Sequence, residues 1–360
     1  MIRIDEIYSH TFWPFIKKHI PMARMFYCDP PGRSDPESLF NHGNSVEQCY
    51  YTLFHDQEPI HLDVHQSLFD DVIRRNKDLE NPKGIIITSE RNSEAVDQVC
   101  SQYGWDSYYY FFHGWAALDW YRGYNCTFLM LPPHQRTITK SFISPNRIIG
   151  GKRKHRIDLM HMILERNIKN SHISFPEICP GEHIHIDKLA EPWQQQLFQQ
   201  ANLPWNFSNE TDHPMHSCWL SLFDESAESL LYLVTETVAV GRRHHLTEKT
   251  FKPICLGMPF VLVSTAGSLR YLRDYGFKTF DSIWDESYDC EPDDNKRLGM
   301  IADLLKQLDL LSLTEKQNLF NQALPIIQHN YNHFYNGAFE SILWQELTSM
   351  LNEIKDYFND

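Results

Sequence analysis

Two short stretches of the chain carry residue types suited to holding an anion. Leu246–Phe260 reads LTEKTFKPICLGMPF and sets Glu248 beside Lys249, with Lys252 and Pro253 close behind. Gly151–Arg156 reads GKRKHR and clusters Arg153, Lys154 and Arg156. Lys249 and Arg156 have the charge to balance a phosphate, together with exposed backbone N–H donors. Glu236, in LYLVTET, offers a carboxylate that can accept from a ligand hydroxyl. Each feature also has a plain structural reading. Glu248–Lys249 makes an ordinary ion pair, and such pairs contribute little when exposed. GKRKHR makes a solvated basic turn.

The elements that must position these residues can be read from pattern. LLYLVTE is a central strand, with Glu236 at or just beyond its C-terminal edge, where ligands gather in open α/β sheets. LTEKTFKPICLG is the helix after it. Thr247 caps or precedes the start, Glu248 lies near the positive end, and Gly257 terminates it. Pro253 fits only a first turn, which places the start around Lys252 or distorts the helix. Upstream, residues 141–144 form a strand, Pro145 to Lys152 hold turn formers, and His155–Glu165 has apolar residues at Ile157, Leu159, Met160, Ile163 and Leu164 on a helical period. The basic cluster therefore stands at a strand-to-helix junction, where cations oppose the helix dipole unless an anion joins them. Two such junctions, Ser144–Arg156 and Val234–Lys252, present polar and basic groups on the same expected sheet edge. That is the arrangement of a diphosphate clamp.

The rest of the chain supplies an α/β frame. MARMFY, CYYTLF and GIIITSE are strand-like, and RNSEAVDQVCSQYG after the last can line a helix face. Ser107–Tyr124 gives a strand and then an aromatic segment that packs as a helix. PFVLVSTAGSLRYLRDYGF supplies strand, turn and helix, FKTF at Phe277–Phe280 a further short strand, and the tail from Asn295 is helical. At 360 residues the chain exceeds the size at which single cores stop growing, so two domains are expected.

Composition narrows the function classes. A net charge of -14 disfavours a chain-wide electrostatic hold on nucleic acid. No GxxxxGK[ST] loop is present and no G-x-G-x-x-G follows an early strand, which sets aside that ATPase class and weakens a redox dinucleotide reading. The eight cysteines form no CxxC pair. His183, His185, His213 and His216 lack a second ligand cluster at familiar spacing, and DESYD at Asp285–Asp289 lacks a calcium-loop pattern and reads as a solvated turn. No metal is expected. The N-terminus lacks a secretory layout and no apolar run is long enough to span a bilayer, so free thiols in a reducing cytoplasm are expected.

NRIIGGKRKHRIDLMHMILE, followed much later by TETVAVGRRHHLTEKTFKPICLGMPFVLVSTAGSLRYLRDYGFKTF, resembles the donor-binding half of two-domain Rossmann-like (GT-B type) glycosyltransferases. The fucosyltransferase-like group and uncharacterised bacterial and viral relatives are included in that likeness, which spans Lys140–Tyr288. In that superfamily an Arg and a Glu–Lys pair hold the sugar nucleotide. The resemblance implies Arg156, Glu248 and Lys249 for these roles here, with Arg147 as an addition. TEK stands where fucosyltransferases have SEK, which leaves the donor sugar open.

The implied architecture is two Rossmann-like α/β domains facing across a cleft. An acceptor-side domain occupies 1–135, a nucleotide-sugar-binding domain 136–335, and a C-terminal helix over 336–360 crosses back onto the first. The implied activity moves a sugar from a nucleotide-diphosphate donor to an acceptor hydroxyl of a glycan, metal-independent and inverting, with the donor as co-substrate and no other cofactor. Inversion requires a base. Asp56 and Glu58 in HDQEP are rivals two positions apart, and His113 is an alternative. Glu90, in TSER, stands at the mouth of the cleft or serves a helix cap, and His113, Trp115, Asp119 and Trp120 line an acceptor pocket or the core. Two other readings stay open: glycosylation of a modified base in viral DNA, and a glycan- or nucleotide-binding protein without catalysis.

Overall fold

The computed structural model describes residues 3–20, 23–27, 51–125, 131–207 and 219–359. They form two compact units. The first comprises Met1–Asp119, Arg242–His245 and Glu340–Asp360, and the second Trp120–Gly241 and Leu246–Phe339.

In the first unit, α1 (Ile4–Ile7), a π-helical turn (Tyr8–Phe12) and α2 (Trp13–His19) run consecutively. Strands β1 (Ala23–Tyr27) and β2 (Tyr51–Asp56), helix α3 (Leu62–Asn76), β3 (Lys83–Thr88), α4 (Glu94–Tyr103), β4 (Asp106–Tyr109) and α5 (Phe112–Tyr121) follow. The sheet order is β1-β2-β3-β4, all parallel. The Ile85–Ile86–Ile87 run is wholly buried, as expected of a parallel strand covered on both faces. Helix α4 starts where Ser93 accepts from the Val96 amide at 3.4 Å and stops at Gly104, left-handed at φ 68°. Phe54, Phe69, Val72, Ile86, Val96, Val99 and Trp105 close one core between β2, β3, α3 and α4.

In the second unit, β5 (Lys140–Pro145) leads through a basic turn to α6 (Lys154–Glu165) and β6 (His172–Ser174). A small hairpin, β7 (Ile178–Cys179) with β8 (Ile184–His185), and helices α7 (Ile186–Leu189), α8 (Pro192–Gln200) and α9 (Phe223–Ala227) precede β9 (Ser229–Thr235). Then come α10 (Glu248–Leu256), β10 (Phe260–Val263), α11 (Ser268–Asp274), α12 (Asp294–Asp309) and α13 (Leu313–Tyr335), and α14 (Ala338–Asn359) follows, all but its first two residues in the first unit. The sheet order is β10-β9-β5-β6, again parallel. Every residue of β9 is buried, as its apolar run requires of a central strand. Both units are α/β with parallel sheets, consistent with Rossmann-like folds.

Several expectations are corrected. The division falls inside α5, not near residue 135, because Tyr121 donates to the Glu248 carbonyl and accepts from Tyr335, which ties it to the second unit. Phe277–Phe280 is not a strand. Its backbone is satisfied by one side chain of α13, since Asn330 both accepts from the Lys278 amide and donates to its carbonyl, each at 2.8 Å. Helix α10 starts at Glu248, so Pro253 lies in its second turn and the Lys249 carbonyl loses its intrahelical donor. DESYD is not a solvated turn: Asp289 is buried and accepts from the Leu269 amide at 2.9 Å at the start of α11. From Glu340 onward α14 belongs to the first unit. Glu346 accepts from the Phe111 amide at 2.6 Å, Trp344 meets Trp115 edge-on at 4.8 Å, and Lys83 donates to the Tyr357 carbonyl at 2.8 Å.

Gly84 shows how tightly β3 is held. A Cβ there would lie 2.1 Å from the Trp105 indole. Gly84→Ala must displace a core ring, and urea unfolding should show a loss of about 1–3 kcal/mol; an unchanged midpoint would contradict this packing.

Candidate functional site

The second unit's sheet reverses direction of growth at β5. The chain moves from β5 to β6 on one side, then returns to β9 and β10 on the other. The C-terminal ends of β5 and β9 thus flank a topological switch point, the place where open α/β sheets bind ligands. Asn146 follows β5 and accepts from Thr235 Oγ1 of β9 at 2.9 Å, so the two ends are joined directly.

The cations named from sequence converge here. Arg156, in the first turn of α6, is buried and donates to the carbonyls of Ile148 (2.7 Å), Thr235 (2.7 Å) and Glu236 (3.3 Å). Lys249, half-buried in the first turn of α10, donates to Thr237 Oγ1 (3.3 Å), Thr247 Oγ1 (3.2 Å) and Glu248 Oε1 (2.9 Å). Both side chains therefore gather at residues 235–237. Arg147 is half-buried just beyond β5. Burial, with the Arg153 charge, lowers Arg156 to about 10, still protonated at neutral pH. Arg153, half-buried, is a further cation of this junction that the family likeness does not single out.

Two assignments change in character. Arg156 is expected as a ligand group, yet its guanidinium is engaged with backbone carbonyls, so its first role is to hold the β9 terminus. Glu236 is expected to accept from a ligand hydroxyl, yet its carboxylate is occupied by the protein. Oε1 accepts from the Thr247 amide (3.0 Å) and Thr250 Oγ1 (2.6 Å), and Oε2 from Thr247 Oγ1 (2.6 Å) and the Thr237 amide (3.3 Å). Those contacts use all four acceptor positions. Glu236 fixes the entrance of α10, whose N-cap Thr247 accepts from the Lys249 amide at 3.4 Å. Glu248, buried, pairs with Lys249 as the plain reading has it.

The first unit brings together the other candidates. Glu58, His113 and His245 present ligand-type atoms all within 4.8 Å of one another. They come from three segments: the loop after β2, the first turn of α5, and the Arg242–His245 segment. That segment is docked by a two-way backbone bridge between Arg91 and His244 (2.9 and 2.7 Å). Glu90 is the buried tie between the segments. It accepts from the Ile60 amide, from Ser93 Oγ at 2.5 Å and from Arg243 Nη1 at 3.4 Å, while Arg243 also donates to the Ile60 carbonyl at 2.9 Å. Burial raises the Glu90 pKa against the pull of Arg243.

The Gln57 backbone carbonyl accepts from Ser89 Oγ (2.8 Å) and His113 Nε2 (3.0 Å), and the Gln57 side-chain Nε2 donates to Tyr8 Oη (2.9 Å). Glu90 is thus a buried structural tie. Trp115 is core, and Asp119 accepts from the Ile4 amide at 3.2 Å. Neither is set aside for an acceptor. Asp56 ends β2 in register with Thr88, and its side chain lies outside the described residues.

His185 caps α7, its Nδ1 accepting from the Asp187 amide at 3.2 Å, while His213 and His216 lie outside the described residues. The described cysteines, Cys100, Cys179, Cys255 and Cys290, are free thiols, and Cys28, Cys49, Cys126 and Cys218 lie outside the described residues. Among the described residues no helix is long and apolar enough to cross a membrane. Comparison with protein-family models, with curated proteins and with solved structures finds no match.

His155 stands beside Arg156 and donates from Nε2 to the Glu236 carbonyl at 3.0 Å. Burial and the Arg156 charge push its pKa down to about 3, so the folded ring is neutral while the unfolded one takes a proton below about 6.5. The unfolded state then binds more protons, and stability falls as pH drops through that window. Urea unfolding from about pH 7 to pH 4 should show a shallower decline in His155→Gln than in the parent chain; identical slopes would contradict the neutral, buried ring.

Proposed function

We propose that the chain is a glycosyltransferase of the GT-B type that moves a sugar from a nucleotide-diphosphate donor to an acceptor hydroxyl, with inversion, in surface glycan synthesis. The observation that carries this reading is the convergence of Arg156 and Lys249 on residues 235–237, at the switch point of a parallel sheet. The starts of α6 and α10 add backbone N–H donors, which favour phosphate.

On this reading the donor binds the second unit. Lys249, with Arg147 and Arg153 in support, stabilises the departing diphosphate without a metal at that position. Arg156 acts mainly by holding the β9 carbonyls, and Glu248 takes the ligand-hydroxyl role because the Glu236 carboxylate is already committed to Thr237, Thr247 and Thr250. The acceptor belongs to the first unit, where Glu58, Asp56 and His113 are the candidates to take the hydroxyl proton.

Calorimetric titration with a panel of nucleoside diphosphates tests the donor half. The parent chain should bind one base preferentially, and Lys249→Ala should weaken that binding roughly tenfold or more, the scale of one lost charge-assisted hydrogen bond. No binding by the parent chain, or equal binding by the variant, would reject the assignment. Glu58→Gln should leave the same titration unchanged and lower sugar transfer.

A further inference from the structure

We infer that Glu58, His113 and His245 form a binding site for a divalent transition metal ion, zinc foremost. Two imidazoles and one carboxylate are a familiar donor set for such ions, and imidazole disfavours calcium and magnesium, which take oxygen ligands. The three donor atoms stand within 4.8 Å of one another, and the residues holding them are separated widely in sequence. His113 and His245 are buried and Glu58 is half-buried. Ligands at about 2.0–2.2 Å from tetrahedral zinc lie about 3.4 Å apart, so the set draws in by up to about 1.4 Å on binding.

The surroundings are those a ligand histidine needs. A carbonyl only accepts, so the 3.0 Å contact between His113 Nε2 and the Gln57 carbonyl puts the ring proton on Nε2 and the lone pair on Nδ1. A metal-bound histidine typically donates its other ring N–H in this way, which fixes tautomer and orientation. That same carbonyl belongs to the residue before Glu58, so a single peptide orients two of the three ligands. His245 meets the His113 ring edge-on, with centroids 4.9 Å apart. The Glu90–Arg243 pair fixes the two loops that carry Glu58 and His245.

Three protein ligands leave a fourth position for water or a hydroxyl, which the ion would acidify. Coordination would make Glu58 a ligand in place of a free base. Because all three residues belong to the first unit, the inference does not rest on donor binding in the second.

The test uses the full chain purified without a histidine tag, stripped with chelator and titrated with zinc and with cobalt(II). Metal analysis after dialysis should give one tightly held equivalent that Glu58→Gln loses, and the cobalt form should show the visible absorption of a four- or five-coordinate ion. Affinity in Glu58→Gln and in His245→Gln should fall roughly tenfold or more, with circular dichroism confirming that each variant is folded. Glu58→Gln is the safer variant because its side chain is half-buried and the exchange keeps its shape. Absence of saturable uptake by the parent chain, or uptake that neither folded variant weakens, would overturn the site.

Discussion

The end of strand β9 depends on one buried guanidinium. Arg156 spans the gap between the turn after β5 and the terminus of β9, donating to carbonyls at Ile148, Thr235 and Glu236. Carbonyls at the end of a parallel strand have no further ladder partner, and leaving them buried and unmet would cost about 1–3 kcal/mol each. Burying the charge is costly in its turn, and donation from both terminal nitrogens to these carbonyls offsets part of that cost. From this brace follow the position of Glu236 and, through its four contacts, the start of α10. Lys249 then stands where it does because the helix that carries it starts at Thr247.

A parallel device organises the first unit. Glu90, at the exit from β3, binds the Ile60 amide and Arg243, and so joins a loop after β2 to a segment far along the chain. Both units place a buried carboxylate just past a central parallel strand and use it to fix neighbouring backbone. In each, the residues suited to chemistry are adjacent to these ties: Lys249 and Glu248 in one, Glu58 and His245 in the other. The ties themselves look like site residues in the sequence, because a buried acid at a strand end is what both a brace and a ligand contact require.

Much of the frame was legible from pattern. The IIIT and LLYLVT runs announced buried parallel strands, and Thr247 and Gly257 marked the ends of α10 with a side chain and a backbone geometry suited to them. Pro253 misled because propensity places proline in a first turn, whereas the core contacts of Phe251 and Ile254 keep α10 helical around it. FKTF misled because an apolar alternation shows burial without showing what satisfies the backbone, and here Asn330 does. Glu58 and His113 were legible as chemical groups from local context. Their meeting with His245 was not, since no local spacing links three segments that only a backbone bridge at Arg91–His244 brings together. In GRRHH the role of Arg243 is set by the Ile60 carbonyl and Glu90, partners far away in sequence.

The proposed donor site holds a diphosphate at the switch point between β5 and β9. Hydrogen exchange on the full chain, measured with and without the best-binding nucleoside diphosphate, tests that location most directly, because a bound anion slows exchange of the amides that contact it and of the helix starts it stabilises. The predicted result is protection confined mainly to peptides covering residues 146–156 and 235–252. Saturating ligand that leaves those peptides unchanged, or protects a different region, would contradict the claim.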